Sequence, residues 1–345
     1  MNKVNTETRA NSALRGRVIL LVKLSAVGLL LYFLASKGFL SLKATQQAFT
    51  RLDRILPAIG ALIVATVLGI IRWQLLLRAQ NIRLSWKQVA ELTLIGNFFN
   101  IALPGAVSGD FVKAFYIGKE VPSAKSRAFG SILFDRVVGL SALVFISASA
   151  LLLGFRSFLH SPLLKAIQIF MIMAASAVAI FYSYLFLVKE KHDPLLYFFH
   201  QIEKSFPRFA VFSRIYESLR HYHHHRMTIV YVLGLSISIH LMFGWMCYQF
   251  ALAIQPGPLS LLSVYIIVPL GLLITAVPIG PAGIGTGNVA FLYFFSLLNY
   301  PRGADVYSMY AVVSISMAAV GGLVYFRYKS QGATAGFRAV PLETG

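Results

Sequence analysis

Six stretches of this chain are almost uninterrupted apolar sequence, at residues 18–35, 56–77, 128–153, 166–188, 227–253 and 306–326. Each is close to the ~20 residues an α-helix needs to cross the hydrocarbon of a bilayer, so each predicts a membrane-spanning helix. Two further apolar regions, 91–118 and 261–299, are broken. The first breaks at Leu103-Pro104-Gly105, with Gly109-Asp110 just after. The second breaks across Pro278-Ile279-Gly280-Pro281-Ala282-Gly283-Ile284-Gly285-Thr286-Gly287. Proline and glycine at this density end helices. Each arm of the first region is about a dozen residues, or ~18 Å at 1.5 Å per residue, too short to span, so both regions are read as re-entrant hairpins. The expected fold is an all-α polytopic integral membrane protein, one membrane domain over residues 1–345. It has about six full spans and two broken hairpins, for which an inverted repeat is one reading.

Composition agrees. The chain has 345 residues, 57% apolar and only 12% charged, against roughly 25% charged in a soluble domain. The net charge is +19. That excess does not call for a nucleic-acid partner, because the cytoplasmic loops of membrane proteins are enriched in Lys and Arg. With the N-terminus in the cytoplasm, six spans and two hairpins that return to their own side, 20 basic residues fall on the cytoplasmic side and 7 outside. The remaining four, Lys23, Arg72, Lys113 and Arg136, lie within spans or hairpins. This bias predicts a multi-pass protein of the cell membrane with both termini cytoplasmic. The run at 18–35 follows Lys3, Arg9, Arg15 and Arg17 like a signal peptide, but no A-x-A site follows, so it is expected to remain as a first helix. The one cysteine, Cys247, excludes an intrachain disulfide and a Cys-rich metal site.

In this topology the two hairpins enter from opposite sides. Broken helices in corresponding places of two halves mark inverted-repeat transporters. Both breaks carry a proline with a glycine five residues on, Pro104/Gly109 and Pro278/Gly283. Two shared positions fit either a repeat or a chance likeness of Gly/Pro-rich loops. Segment 189–226 is the sizeable polar region. There Phe209, Phe212, Tyr216 and Leu219 recur at helical spacing, predicting an amphipathic helix on the cytoplasmic leaflet. His221, His223, His224 and His225 have no carboxylate or thiolate partner nearby and are read as interfacial, with no metal expected.

Ionisable groups at membrane depth are costly and are therefore candidates for function. Asp110 opens the second arm of the first hairpin, where a helix cap is its bland role, and Lys113 lies on the same face. Asp135 and Arg136 are neighbours in the third full span and point ~100° apart. They cannot simply neutralise each other. Arg136 with Asp110, or Asp135 with Lys113, are the expected pairings. Arg72 sits near the end of the second span, where snorkelling to the headgroups is the alternative to a buried role. Asn97 and Asn100 share a face of the first arm, and His240 inside a span is expected to bond a neighbouring helix. Three cations against two carboxylates, beside two breaks with free backbone amides, suit an anionic headgroup such as a phosphate. A cation channel would carry carboxylate rings.

The segment Gly96-Asn97-Phe98-Phe99-Asn100-Ile101-Ala102-Leu103-Pro104-Gly105, followed by Gly109-Asp110-Phe111-Val112-Lys113-Ala114-Phe115-Tyr116, resembles the hallmark of the flippase-like membrane domain of lysylphosphatidylglycerol synthases. Arg72-Trp73, Asp135-Arg136 and the run Pro278 to Gly285 match in order and spacing, and the resemblance covers about 18–326. Many members have an acidic residue where this chain has Asn288, which weighs against a mechanism needing a carboxylate there. About 19 residues follow Phe326, whereas the bifunctional members continue into a soluble aminoacyl-transfer domain. The resemblance therefore implies lipid translocation without lysyl-lipid synthesis, with Arg72, Asn97, Asn100, Asp110, Lys113, Asp135, Arg136 and Asn288 as substrate-binding candidates. The break residues Pro104, Gly105, Gly109, Pro278, Pro281, Gly283 and Gly285 would shape the hairpins.

Membrane lipids with an anionic headgroup, or isoprenoid-linked lipids, are the expected partners, and the chain is not expected to be an enzyme. Two other readings compete. A membrane-embedded transferase would need an acidic pair or a ligand set at an interface. A non-catalytic subunit, as a homo-oligomer or beside a lipid-synthesis enzyme, would need an exposed small-residue face such as Gly321-Gly322. No G-x-x-x-x-G-K-[ST] pattern occurs, so neither ATP nor another cofactor is expected to act directly.

Overall fold

The computed structural model describes residues 32, 36, 42–102, 108–153, 162–189, 192–206, 210–275 and 283–332. The expected first span, apart from Tyr32, lies outside them, as do Leu103, Pro104, Gly105, Pro278, Pro281 and Phe209. The described residues form helices and connecting turns, with no strand among them. In chain order the helices are α1 Leu42–Ala48, α2 Leu52–Ala79, α3 Trp86–Ala102, α4 Ser108–Glu120, α5 Lys125–Leu153, α6 Pro162–Leu187, α7 Pro194–Ser205, α8 Ala210–His221, α9 Arg226–Ile254, α10 Leu261–Thr275, α11 Thr286–Ser296 and α12 Gly303–Gly332. Among the described residues, five helices (α2, α5, α6, α9 and α12) are long and apolar enough to cross a membrane. The protein is an all-α, multi-pass membrane protein. Helix α6 turns Ile169, Phe170, Met173 and Ile180 outward, an apolar surface that water would not tolerate and lipid does.

Local sequence explains the helix ends. Helix α2 stops at Asn81, which takes the left-handed conformation at φ 57°. Asn81 N–H bonds the Arg78 carbonyl and Ile82 N–H bonds the Leu77 carbonyl, both at 2.9 Å. This Schellman turn is closed by contact between buried Leu77 and Ile82. Helix α11 ends the same way, on Asn299 at φ 58°, with Tyr300 N–H on the Phe295 carbonyl. Helix α7 starts where Asp193 caps Leu195 and Leu196 and Pro194 occupies the first turn.

The two broken regions approach from opposite ends of the bundle, and α12 is the reference that shows it. Helix α11 crosses the start of α12: Gly303 touches the Phe291 backbone, and Gly287 lies on the Tyr307 ring. Helix α3 meets the other part of α12, where Gly321 touches the Leu94 carbonyl and Gly322 the Phe98 ring. Gly303 and Gly321 are 18 positions apart in the sequence, which is ~27 Å along a helix and close to a bilayer's ~30 Å of hydrocarbon. The outer ends of α3 and α4 pack with the end of α2 and the start of α5, through Ile82, Val89, Ile117 and Ala124. The outer ends of α10 and α11 instead pack near the end of α9, where Tyr300 Oη donates to the Ala251 carbonyl at 2.7 Å.

The arms have 17 and 13 residues in α3 and α4, and 15 and 11 in α10 and α11. At 1.5 Å per residue all fall short of ~30 Å. The first arm begins at Trp86, earlier than the apolar boundary at Glu91, because Ser85 caps it by accepting from Gln88 N–H.

Segment 189–226 contains an amphipathic helix where one is expected. It forms two helices, α7 and α8, docked on the end of the bundle. Arg220 and Asp193 make an ion pair at 2.8 Å with side chains only 3% and 0% exposed. Tyr184 and Tyr216 hydroxyls donate to the same carboxylate. Arg220 also donates to the Leu185 and Val188 carbonyls, and Gln80 to the Ser218 carbonyl. The buried faces of Tyr216 and Leu219 therefore meet protein, while Val211 and Phe212 stay exposed. The docking on the bundle is an addition to that expectation, because a helix face that meets protein and one that meets lipid have the same periodicity. Of the histidines, His223 bonds the Leu185 carbonyl through Nδ1 at 2.8 Å, and His221, His224 and His225 pack ring on ring.

Candidate functional site

The first hairpin is held closed by a glycine crossing. A Cβ added to Gly109 would lie 1.9 Å from the Gly96 carbonyl oxygen, and one added to Gly96 would meet the Lys113 side chain at 2.6 Å. Backbone thus touches backbone, and the Lys113 stem fills the space that a side chain at position 96 would occupy. Asn100 locks the turn by accepting from Gly109 N–H at 2.8 Å, and Ser108 Oγ donates to the Phe99 carbonyl at 2.9 Å. Asp110 is consequently not needed as the cap, and its carboxylate is directed at Arg136. Replacing Gly109 with alanine is expected to destabilise the protein by about 1–3 kcal/mol through overpacking. Gly60→Ala, where nothing lies within 4 Å, should be neutral or slightly stabilising. Thermal unfolding of the two purified variants in detergent checks this contrast.

Arg136 Nε donates to Asp110 Oδ2 at 2.6 Å, one of the two pairings expected. The pair is only partly buried: Asp110 is 11% exposed at its side chain and Arg136 50%. The other expected pairing is replaced. Asp135 is taken by Arg72, whose Nε and Nη2 grip the two carboxylate oxygens at 2.8 and 3.0 Å, while Nη1 donates to Ser236 Oγ at 2.8 Å. Arg72 therefore turns into the bundle and does not snorkel. This bidentate fork uses the planar guanidinium fully. Lys113 is buried and makes no ion pair among the described residues. Its ammonium sits 3.9 Å from the centre of the Trp73 ring, a cation–π contact that partly replaces water. Trp73 is itself fixed by donation to Ser131 Oγ.

These groups line one half-open cavity of about 250 Å³. Arg72, Lys113, Arg136, Asp110 and Asp135 are on its wall, with Asn97 and Asn100. Two ion pairs cancel and Lys113 remains, so the wall carries one net positive charge. The charged donors of this wall without a protein partner among the described residues are the Lys113 ammonium and the terminal nitrogens of Arg136. A second lobe of about 270 Å³ adjoins it and shares Leu62, Thr66, Asn97 and Asn100. That lobe is walled by Thr275 and Gly283 of the second hairpin and by Tyr307, Tyr310 and Ser314 of α12. The described flanks of both breaks thus border one space. Outside Arg136, a small apolar groove runs between Phe111, Phe129, Ile132 and Leu133. Phe111 and Leu133 face outward, so the charged wall is continuous with a lipid-facing opening.

Asn288 lines neither lobe. Its Oδ1 accepts from Gly285 N–H at 3.0 Å, and its Nδ2 donates to the Ala304 carbonyl and to Ser308 Oγ. This use of every polar atom fixes the start of α11, where Gly285 at φ 92° needs the freedom of glycine. Asn288 is therefore a structural brace rather than a binding group. His240 bonds the Gly139 carbonyl at 3.0 Å. Sequence reading missed Trp73 as a platform, Ser236 as the third partner of Arg72, and the polar stripe Tyr307, Tyr310, Ser314. The last had a signal: positions i, i+3 and i+7 share one helix face.

A match to the lysylphosphatidylglycerol synthase TM region covers residues 18–321. A UPF0104 membrane protein of Pyrococcus horikoshii is 29% identical over 161 residues, which is 44% of this chain and 46% of that protein. The chain thus aligns with about half the length of that curated relative. No solved structure matches. With the match extending over most of the chain, this protein belongs to the lysylphosphatidylglycerol synthase transmembrane-region family.

Proposed function

We propose that the chain is a lipid translocase of the cell membrane, with both termini cytoplasmic, that moves an anionic or isoprenoid-linked lipid between leaflets and performs no covalent chemistry. The observation that carries this reading is the half-open cavity with one net positive charge on its wall and an apolar groove at its mouth. A lipid crossing a bilayer keeps its tails in hydrocarbon while its headgroup needs polar contacts. Lys113 and the terminal nitrogens of Arg136 offer charge-assisted bonds of roughly 1.5–3 kcal/mol each to a phosphate. Two such contacts offset part of the headgroup's desolvation and still permit release. Family membership supports a lipid-related role. Against the subunit reading, Gly321 and Gly322 are occupied internally by α3.

The test is leaflet exchange of tail-labelled anionic lipids in proteoliposomes. The native chain is expected to exchange them, and Lys113→Ala and Arg136→Ala to do so at least tenfold more slowly while remaining folded. Variants as fast as the native chain would remove the cluster from the path. A native chain that exchanges no lipid would favour the non-catalytic subunit.

A further inference from the structure

The cations occupy only one lobe of the cavity; the lobe shared between Asn97 and Tyr310 is polar without charge. We infer that the transported lipid carries an uncharged, hydroxyl-bearing group of glycerol or sugar type beyond its phosphate, and that this group is bound in the neutral lobe. The inference rests on the translocase reading above and specifies its substrate class.

The lining of this lobe contains asparagine, threonine, serine and tyrosine but no Asp, Glu, Lys, Arg or His. The Asn97 amide has no partner among the described residues, and Asn100 uses only its Oδ1, leaving its NH₂ group over. Thr66 donates to the Leu62 carbonyl at 2.9 Å, which leaves its oxygen lone pairs to accept; Thr275 donates to the Leu272 carbonyl at 2.7 Å and also bonds Tyr307, as Ser314 bonds Tyr310. The wall therefore presents both donors and acceptors, all neutral. That is the complement of hydroxyl groups, each of which donates once and accepts twice.

Other headgroups fit less well. A primary ammonium brings three donors and a charge whose desolvation calls for a carboxylate; this lobe has none. A quaternary ammonium is held by open aromatic faces. Here Tyr307 and Tyr310 meet edge to face at 5.4 Å, and Phe243 meets Tyr310 at 4.6 Å, so the rings pack on one another. A second phosphate has no cation to meet. The lobe's volume of about 270 Å³ is just below the ~300 Å³ of the smallest drug-sized sites, suited to one headgroup and not a whole lipid. Asn97 and Asn100 border both lobes, so one molecule can place its phosphate by Lys113 and its hydroxyls by Tyr310.

The experiment compares protein-dependent exchange of four tail-labelled lipids in proteoliposomes of the purified full chain: phosphatidylglycerol, phosphatidic acid, phosphatidylethanolamine and phosphatidylcholine. A polyprenyl phosphoglycoside, paired with the bare polyprenyl phosphate, separates an isoprenoid from a glycerolipid source. In at least one pair the hydroxyl-bearing lipid is expected to exchange tenfold or more faster than its bare-phosphate counterpart and than either amine lipid. Asn97→Leu should bring that preference towards unity. Ser314→Ala, a smaller change, should also reduce it and keeps the test open where Asn97→Leu does not fold. Equal rates within both pairs, or faster exchange of either amine lipid, overturn the inference while leaving the translocase reading intact. Exchange of none of the probes overturns both.

Discussion

Replacing Asp135 with alanine should lower the free energy of unfolding by about 3–5 kcal/mol, the cost of leaving one member of a buried ion pair without its partner. Arg72 is 13% exposed and Asp135 12%, and the guanidinium has its Nε and Nη2 committed to the lost carboxylate. Only the Ser236 bond would remain. A neutral hydroxyl does not compensate a full charge in a low-dielectric interior. The double change Arg72→Leu with Asp135→Leu removes both charges and should recover most of that loss, because a well-packed apolar pair is often as stable as a buried ionic one. Unfolding of the purified variants in detergent reads both values. A single variant within 1 kcal/mol of the native chain would mean that Arg72 finds another partner and that the pair does not hold α2 to α5.

The second large effect is expected at the docked cap. Asp193→Ala removes the partner of Arg220, the acceptor of two tyrosine hydroxyls and the cap of α7. The ion pair is more deeply buried than the Arg72 pair, so about 3–5 kcal/mol is again expected, with ~1 kcal/mol more from the lost helix cap. The loss should be local first. Protease cleavage within 189–226 should rise before the spanning helices unfold, since the side-chain contacts of Asp193 are with Tyr184, Tyr216 and Arg220 at the end of the bundle and not with the packing between the spans.

The same carboxylate sets a pH dependence. Burial alone would raise its pKa, but hydrogen bonds from Tyr184, Leu196 N–H and Tyr216, together with the Arg220 charge, outweigh it and hold Asp193 below the ordinary carboxylate value. The unfolded chain then binds the proton more readily than the folded one. This contribution is complete above about pH 4, the ordinary aspartate value, and is lost as pH falls through the depressed native value. Protease sensitivity of the cap measured from pH 7 down to pH 3 should rise only below about pH 4 in the native chain, and should lose that step in Asp193→Ala. Cap release that begins above pH 5 would point to a different titrating group.

Much of the architecture was legible in the sequence, and particular residues show why. Five of the six expected spans coincide with described helices because an apolar run of that length has no other stable state in a bilayer. The interruptions before Gly109 and around Gly283 were legible because proline and glycine act locally, on the donors and torsions of their own turn. The Arg136–Asp110 pairing was also within reach, since Asp110 and Arg136 each had to find an opposite charge in an apolar environment. The sequence alone therefore determined the helical type of the elements, the regions where the described helices end, and the set of groups too costly to leave in lipid. Tertiary structure alone decided which charges cancel and which stay open. Asp135 reaches Arg72 across 63 positions, and Arg72 reaches Ser236 across 164, distances over which periodicity carries no information. The same holds for α8, which docks on the bundle through Arg220 and Leu219, and for Asn288, whose amide is occupied by α12. Local sequence sets torsions and polarity within a few residues. Pairing depends on which helix faces meet, and burial leaves Lys113 as the cation without a countercharge among the described residues.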